Sequence, residues 1–328
     1  MAGRDPMNRY ARQIAVPGMG RDGQTRLQAA RLLVVGAGGL AAPVLQYLVG
    51  AGVGHIRLVD SDAVDETNLH RQTIFRAVDT GRPKVEAAAG AMRALNSATM
   101  IEPLRLTLGP DNAADLCAGV NLVLDCADSF AASYILSDHC RTAGVPLVSA
   151  SVVQMSGYAG GFCARAPSLR AVFPDLPQSL GNCAEDGVLG PVVGMVGSLQ
   201  AQMALAILAG LEPSPLGQLV TVDAQTMRFG GFRFDDAPEP DWQPRFIAAE
   251  SMQDNDFVVD LRDQAEAPLI RQNARRHPVH AFGPEGPRPP ETQRAVLVCR
   301  SGLRSWQAAE RLHSVWDGEI VLVAAGDP

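Results

Sequence analysis

The chain has 328 residues, 47% of them hydrophobic and 19% charged, enough for a large buried core and for two domains of about 100 to 200 residues each. Its formal net charge of −7 provides no basic field to hold a nucleic-acid backbone. The opening "MAGRDPMNRYARQ" lacks the apolar centre of a signal peptide, and no apolar run reads as the ~18 residues of a membrane span, so a cytoplasmic protein is expected, with neither nucleic acid nor membrane as partner.

The first strong pattern is an apolar strand near 31–36 that runs into Gly36, Gly38 and Ala41 at G-x-G-x-x-G/A spacing, followed by a helical stretch. Small residues at that spacing let a turn close and a phosphate approach a helix N-terminus. A second strand, "HIRLVD", near 55–60, ends at Asp60, about 20 residues on, where a carboxylate would take a ribose hydroxyl. Further strands near 100–106, 121–125 and 146–150 alternate with helical patterns, which implies a largely parallel sheet covered on both faces. The Pro-rich "APSLRAVFPDLPQSLGNCAEDG" is too irregular for helix or strand and reads as a functional or mobile loop.

Residues 190–210 read as a buried helix ending at a Gly cap, and "QLVTVDAQTMRFGGFRF" as an antiparallel hairpin with its turn near Asp223–Thr226. The Pro- and acid-rich linker 235–244 closes a first domain over 1–234. A smaller α/β unit, 245–328, follows: the strand "FVVDLRD", a loop over "NARRHPVHAFGPEGPRPPETQ", the strand "AVLVCRSG", the helix "RSWQAAERLHSVW" and the strand "EIVLVA". The six cysteines form no C-x-x-C pair, so neither a zinc knuckle nor a disulfide framework is signalled.

Taken alone, the glycine turn suggests an NAD-dependent dehydrogenase. Downstream of Asp60, however, Asn68, Arg71, Gln72 and Lys84 crowd a short polar stretch, and two cations beside a phosphate turn suit a triphosphate better. The fourth strand ends in "LVLDCADSF", which puts Asp125 and Asp128 at the carboxyl edge of the sheet. A carboxylate there is a natural Mg²⁺ ligand, although Asp125 reads equally well as a cap for the next helix. The residues thus point to Mg-ATP. Each has a plainer alternative: Arg12 as part of a solvated helix face, Arg71 and Lys84 as surface cations, and Cys117, Cys126, Cys140 and Cys163 as small buried residues.

Over residues 8–235 the segments "RYARQI", "VVGAGGLA", "VDSDAVDETNLHRQ", "GRPKVEAA", "LVLDCADSF", "CAEDGVLGPVVGMVGSLQA" and "VDAQTMRF" resemble the adenylyltransferases that activate ubiquitin-like sulfur carriers, the ThiF and MoeB type. The resemblance implies a Rossmann-like, mostly parallel sheet with antiparallel C-terminal strands. It implies ATP in the glycine turn, and attack on its α-phosphate by the C-terminal Gly-Gly carboxylate of a carrier protein. By position it assigns Gly36, Gly38, Gly39 and Asp60 to the nucleotide, with Asn68, Arg71, Gln72 and Lys84 around it. Asp128 would hold Mg²⁺, and Arg12 would be an arginine finger given to the other subunit of a homodimer.

Cys183 matches a cysteine that in some members becomes joined to the carrier; the alternative is a loop thiol with no covalent role. The small unit resembles a shortened rhodanese domain, in which Cys299, in "VCRSGLRS" with Arg300 and Arg304, would carry sulfur as a persulfide. Thiosulfate or the persulfide of a cysteine desulfurase would supply that sulfur, and the carrier would leave as a thiocarboxylate. There are departures. Ser168, Ala171 and "DAPEPDW" stand where the family has two cysteine pairs, so no zinc is expected, and Ala41, Ser129 and Ser133 replace the more usual Gly, Asn and Arg. These leave open a second reading, a nucleotide- and carrier-binding module with an inert rhodanese unit.

Overall fold

The computed structural model describes residues 6–174 and 187–326. Contacts divide the chain into two compact units, one centred on an eight-stranded sheet and one made mainly of Pro240–Pro328.

In chain order the first sheet and its cover comprise α1 (Ala11–Ile14), α2 (Gly20–Ala29), β1 (Arg31–Val35), α3 (Ala41–Gly50), β2 (His55–Val59), α4 (Lys84–Leu95), β3 (Met100–Leu104), α5 (Ala113–Cys117), β4 (Leu122–Asp125), α6 (Phe130–Ala143), β5 (Leu147–Val153), β6 (Ser156–Phe162), α7 (Leu169–Val172), α8 (Gly190–Ala209), β7 (Gln218–Asp223) and β8 (Arg228–Arg233). The strand order is β3-β2-β1-β4-β5-β6-β7-β8. The first five strands are parallel and the last four pair antiparallel through β5. β1 and β4 read as continuous apolar runs because they are buried on both faces, as parallel strands between helical layers must be. Chain direction across the sheet reverses between β1 and β4, and the crevice at their carboxyl ends is where open α/β sheets take ligands.

Three features depart from the sequence reading. β5 continues to Val153 and pairs with β6, a strand whose Gly157, Gly160 and Gly161 remove the side chains that would mark it. A Cβ at Gly161 would stand 2.6 Å from the Pro215 carbonyl, so the close approach excludes anything larger. The Pro-rich segment read as irregular contains α7, started by the Ser168 hydroxyl, which accepts from the Arg170 and Ala171 amides. Thirdly, α8 has the length and apolarity of a membrane span, with mean hydropathy 1.7, contrary to the expectation that no such run exists. It is apolar all round because it lies against α3, β5 and β6, burying Val192, Val196, Ala201, Ala204 and Leu208; Gly210, at φ +65°, ends it.

The second unit holds β9 (Arg245–Phe246), β10 (Phe257–Asp260), β11 (Arg275–Arg276), β12 (Ala295–Cys299), α9 (Leu303–His313) and β13 (Ile320–Ala324). Its sheet is parallel throughout, in the order β11-β10-β12-β13-β9. β10, β12 and β13 were legible as apolar runs, whereas β9 and β11 have two residues each and carry no period to read. The stretch read as a loop before β12 therefore contains β11 and a 3₁₀ turn at Val279–Ala281.

Candidate active site

β1 delivers the chain into a glycine turn whose shape is set by close approaches. Gly36 has φ +93°, and a Cβ on it would stand 2.6 Å from the Cys126 carbonyl. At Gly39 a Cβ would meet Val193 of α8 at 2.7 Å and the Arg71 carbonyl at 3.4 Å. Asp60, at the end of β2, closes the turn from the other side: its Oδ2 accepts from the Ala37 amide at 2.7 Å and its Oδ1 from the Asp62 amide at 2.8 Å. Burial pushes the Asp60 carboxyl above its ordinary value, and these N–H groups and the Lys84 charge oppose that shift.

The polar stretch after β2 folds back onto this turn. Arg71 donates to Asn68 Oδ1 at 2.6 Å and lies 2.9 Å from His70 Nε2, which must accept from the guanidinium. Gln72 is buried, a Cβ on Gly38 would lie 3.6 Å from its Nε2, and its Oε1 has no hydrogen-bond partner among the described residues. The glycine cradle and the two cations fit an anionic ligand, and the orphaned Gln72 carbonyl would accept from a donor group on it, such as a hydroxyl. Lys84 opens α4 and is nearly buried; its Nζ is 2.7 Å from Asp62 Oδ2, a counter-ion the sequence reading missed although "DSD" offered the acid.

The two acidic residues after β4 separate. Asp125 is fully buried, with Oδ2 accepting from Ser149 Oγ at 2.8 Å and Oδ1 from the Ala127 amide at 3.2 Å. It organises the turn, which corrects its reading as a possible metal ligand. Asp128 is exposed, free of hydrogen bonds to described residues, and fits the donor chemistry of Mg²⁺ beside phosphate oxygens. Ser129 is the start of α6, its hydroxyl accepting from the Ala132 amide at 3.4 Å. Arg12 is exposed on α1, and no hydrogen bond or ion pair to described residues ties it to the cluster.

Where the resemblance puts zinc cysteines, Glu239 accepts from Ser168 N and Oγ and is paired with Arg141; these described residues supply no thiolate and do not fit a tetrahedral zinc site. Cys183 lies outside the described residues.

In the second unit, Cys299 ends β12 at the head of α9. Gly302 N and Ser305 N donate to its Sγ at 3.1 and 3.3 Å, and Ser305 Oγ is 3.5 Å away. Backbone N–H groups converging on one sulfur form an anion nest. The sulfur is fully buried. Arg304, read from sequence as charge support for Cys299, is bound to Glu266 through both carboxylate oxygens at 2.6 and 2.7 Å, and its charge also interacts with Cys299. Arg262 is likewise held by buried Asp260 at 2.8 Å.

A glycine turn, a flanking carboxylate and two cations at the switch point of a doubly wound sheet define the class: α/β proteins with a phosphate-accepting crevice. The chain belongs to the ThiF family, whose profile matches residues 10–243. It is 44% identical over 229 residues to the adenylyltransferase and sulfurtransferase MOCS3 of Bos taurus, covering 67% of this chain and 49% of that protein. The SAMP-activating enzyme E1 of Haloferax volcanii is 39% identical over 225 residues, 68% of this chain and 83% of that one. The probable adenylyltransferase/sulfurtransferase MoeZ of Mycobacterium tuberculosis is 34% identical over 361 aligned positions, 98% of this chain and 92% of its own length. The chain therefore spans about half the length of the MOCS3 relative and nearly all of MoeZ. Among solved structures, E. coli MccB crystallised with MccA-N7isoASN superposes with a TM-score of 0.63 at 19% identity, over 71% of this chain and 73% of that one, a likeness of fold.

Proposed function

We propose that the first unit adenylylates the C-terminal carboxylate of a ubiquitin-like sulfur carrier ending in Gly-Gly, and that the second unit transfers sulfur to the product. The observation that carries this reading is the closure of the Gly36–Gly39 turn onto Asp60 and Arg71, with the Lys84 ammonium in the same charge cluster. The names of the relatives point the same way.

ATP would lie with its ribose toward Asp60 and its phosphates over the glycine turn, between Arg71 and Lys84. A carboxylate oxygen of the carrier attacks the α-phosphorus, the bond to the bridging β-phosphate oxygen breaks, and pyrophosphate leaves with the electron pair. Charge spreads over phosphate oxygens, so positioning and cationic stabilisation do the catalysis and no side-chain nucleophile is required. Mg²⁺, held by Asp128, would neutralise phosphate charge when bound. Arg12, exposed on α1, is available to a second copy, consistent with a homodimer that completes each site in trans.

In the second step the terminal sulfur of a Cys299 persulfide attacks the acyl carbon and displaces AMP, leaving an acyl disulfide. A two-electron thiol reductant then releases the carrier thiocarboxylate and regenerates the thiol. Because Cys299 is fully buried, the 300–302 loop must open for donor and acceptor to reach it. Thiosulfate or a protein persulfide fits as donor. No step requires zinc. The burial of Cys299 also favours a second reading, a carrier-binding module with an inert small unit. ATP–pyrophosphate exchange separates the two: carrier-dependent exchange supports the enzyme, and nucleotide binding without exchange supports the module.

A further inference from the structure

Beneath the crevice lies a buried polar network that the proposed chemistry does not use. Gln200, in the middle of the apolar helix α8, is fully buried; its Nε2 donates to the Asp125 carbonyl at 2.7 Å and to the Val148 carbonyl at 3.1 Å, and its Oε1 accepts from Cys126 Sγ at 3.4 Å. Burial pushes the Cys126 thiol well up, so it keeps the proton it donates. The Asp125 carboxylate is tied to Ser149 of β5 and to the Ala127 amide. Cys126 N donates to the Val35 carbonyl at 2.8 Å, and the missing Cβ of Gly36 lets the phosphate turn touch the Cys126 carbonyl.

An apolar helix packed on an apolar sheet needs none of these groups, and each is costly to bury unless fully bonded. Their bonds fall at one place, the carboxyl end of β4 and the first residues of β5 paired with it at Val148 and Ser149, where the chain leaves β4 toward Asp128. From the network, Gln200 fixes the backbone, Asp125 fixes the turn's first amide, and Ser149 fixes Asp125. Asp128 follows three residues after Asp125 with no described partner of its own, so the turn alone sets where its carboxylate stands.

We infer that Ser149, Asp125 and Gln200 are positioning residues that aim Asp128, and that metal affinity at the nucleotide site depends on this network. The inference rests on the reading of Asp128 as the Mg²⁺ ligand. It extends that reading to residues that touch neither metal nor nucleotide.

The test is Mn²⁺ binding to the full-length protein in the presence of α,β-methylene-ATP, followed by electron paramagnetic resonance, for the parent, Asp128→Asn, Ser149→Ala, Ser149→Thr and Gln200→Leu. Ser149→Ala should weaken Mn²⁺ binding by about tenfold, the low end of what losing outer-shell support costs, while affinity for the metal-free nucleotide stays the same. Ser149→Thr keeps the hydroxyl and should keep the affinity. Gln200→Leu should behave as Ser149→Ala does, and where it fails to fold the Ser149 pair carries the test. Parent-like Mn²⁺ affinity in Ser149→Ala, with Asp128→Asn impaired, would overturn the inference and leave the ligand reading standing. Parent-like affinity in Asp128→Asn would overturn the ligand reading itself.

Discussion

Glu239 receives both the amide N–H and the hydroxyl of Ser168, at 2.8 and 2.6 Å, across 71 residues of chain. It thereby caps α7 from outside and ties the segment after β8 back to the first unit, with Arg141 as its counter-ion. Hydrogen bonds to a charged group contribute about 1.5–3 kcal/mol, so Glu239→Ala should lose stability of that order in urea unfolding. Metal analysis of the parent protein should find no stoichiometric zinc, since oxygen and guanidinium groups occupy this clasp. One tightly bound zinc per chain would refute the assignment.

Lys84 and Arg71 can be removed with little harm to the fold. Asp62, the partner Lys84 would leave behind, is 65% exposed and resolvates readily. Lys84→Met and Arg71→Ala should each reduce ATP–pyrophosphate exchange by about a hundred- to a thousandfold, the usual cost of one lost transition-state donor, with melting temperature nearly unchanged. Exchange at the parent rate in either variant would remove that residue from the site.

The parallel core and the glycine turn were legible because β1, β2 and β4 are apolar runs followed by small residues, a signal that does not depend on the partner strand. β6 was not, since its Gly157 and Gly161 answer to Val196 and Pro215, which lie far off in sequence. Among the candidate site residues, Asp60 and Lys84 stand beside the glycine turn, where their sequence positions put them. The different fates of Asp125 and Asp128 could not be read from position, because only the fold reveals that Ser149 lies within 2.8 Å of the first. Gln200 did leave a signal, one of two amides, with Gln202, in an otherwise largely apolar 20-residue helix. Its partners are backbone carbonyls, which no sequence displays.

The role proposed for Arg12 needs a second chain. Arg12→Ala should be inactive in exchange, and so should Asp128→Ala. Mixed under conditions proven to exchange subunits, the two should recover part of the parent activity, because one hybrid site then has both groups intact. Persistent inactivity of the mixture would place Arg12 outside the catalytic machinery or in its own chain's site.

The Arg304 guanidinium and the Asp263 amide hold the Glu266 carboxyl down at about 2. A depressed carboxylate stabilises the fold above its unfolded value, and the contribution disappears as pH falls through the folded one. Glu266→Gln should therefore melt below the parent at neutral pH, and the two curves should converge as the pH approaches 2. The gap will be modest, because the pair is about one-third exposed and solvent screens it. A gap that widens with acidification would have the wrong sign.

The two candidate cysteines should separate cleanly by reaction. Acyl-adenylate formation requires ATP, metal and a positioned carboxylate, so neither Cys183→Ser nor Cys299→Ser should slow pyrophosphate exchange. Sulfur transfer requires a sulfur that can hold negative charge, and Cys299 has two backbone N–H donors within 3.3 Å at the head of α9. Arg262 and Arg304 are each paired with a carboxylate, and both still interact electrostatically with Cys299 beside the nest. Cys183 has Glu185 and Asp186 beside it in sequence, which disfavour a thiolate. Cys299→Ser should abolish thiosulfate sulfurtransferase activity and thiocarboxylate formation, while Cys183→Ser should affect only a covalent adduct with the carrier, seen by intact-mass spectrometry. If Cys299→Ser still forms thiocarboxylate at the parent rate, the sulfur reaches the adenylate from another protein, and the small unit is an inert partner of the first.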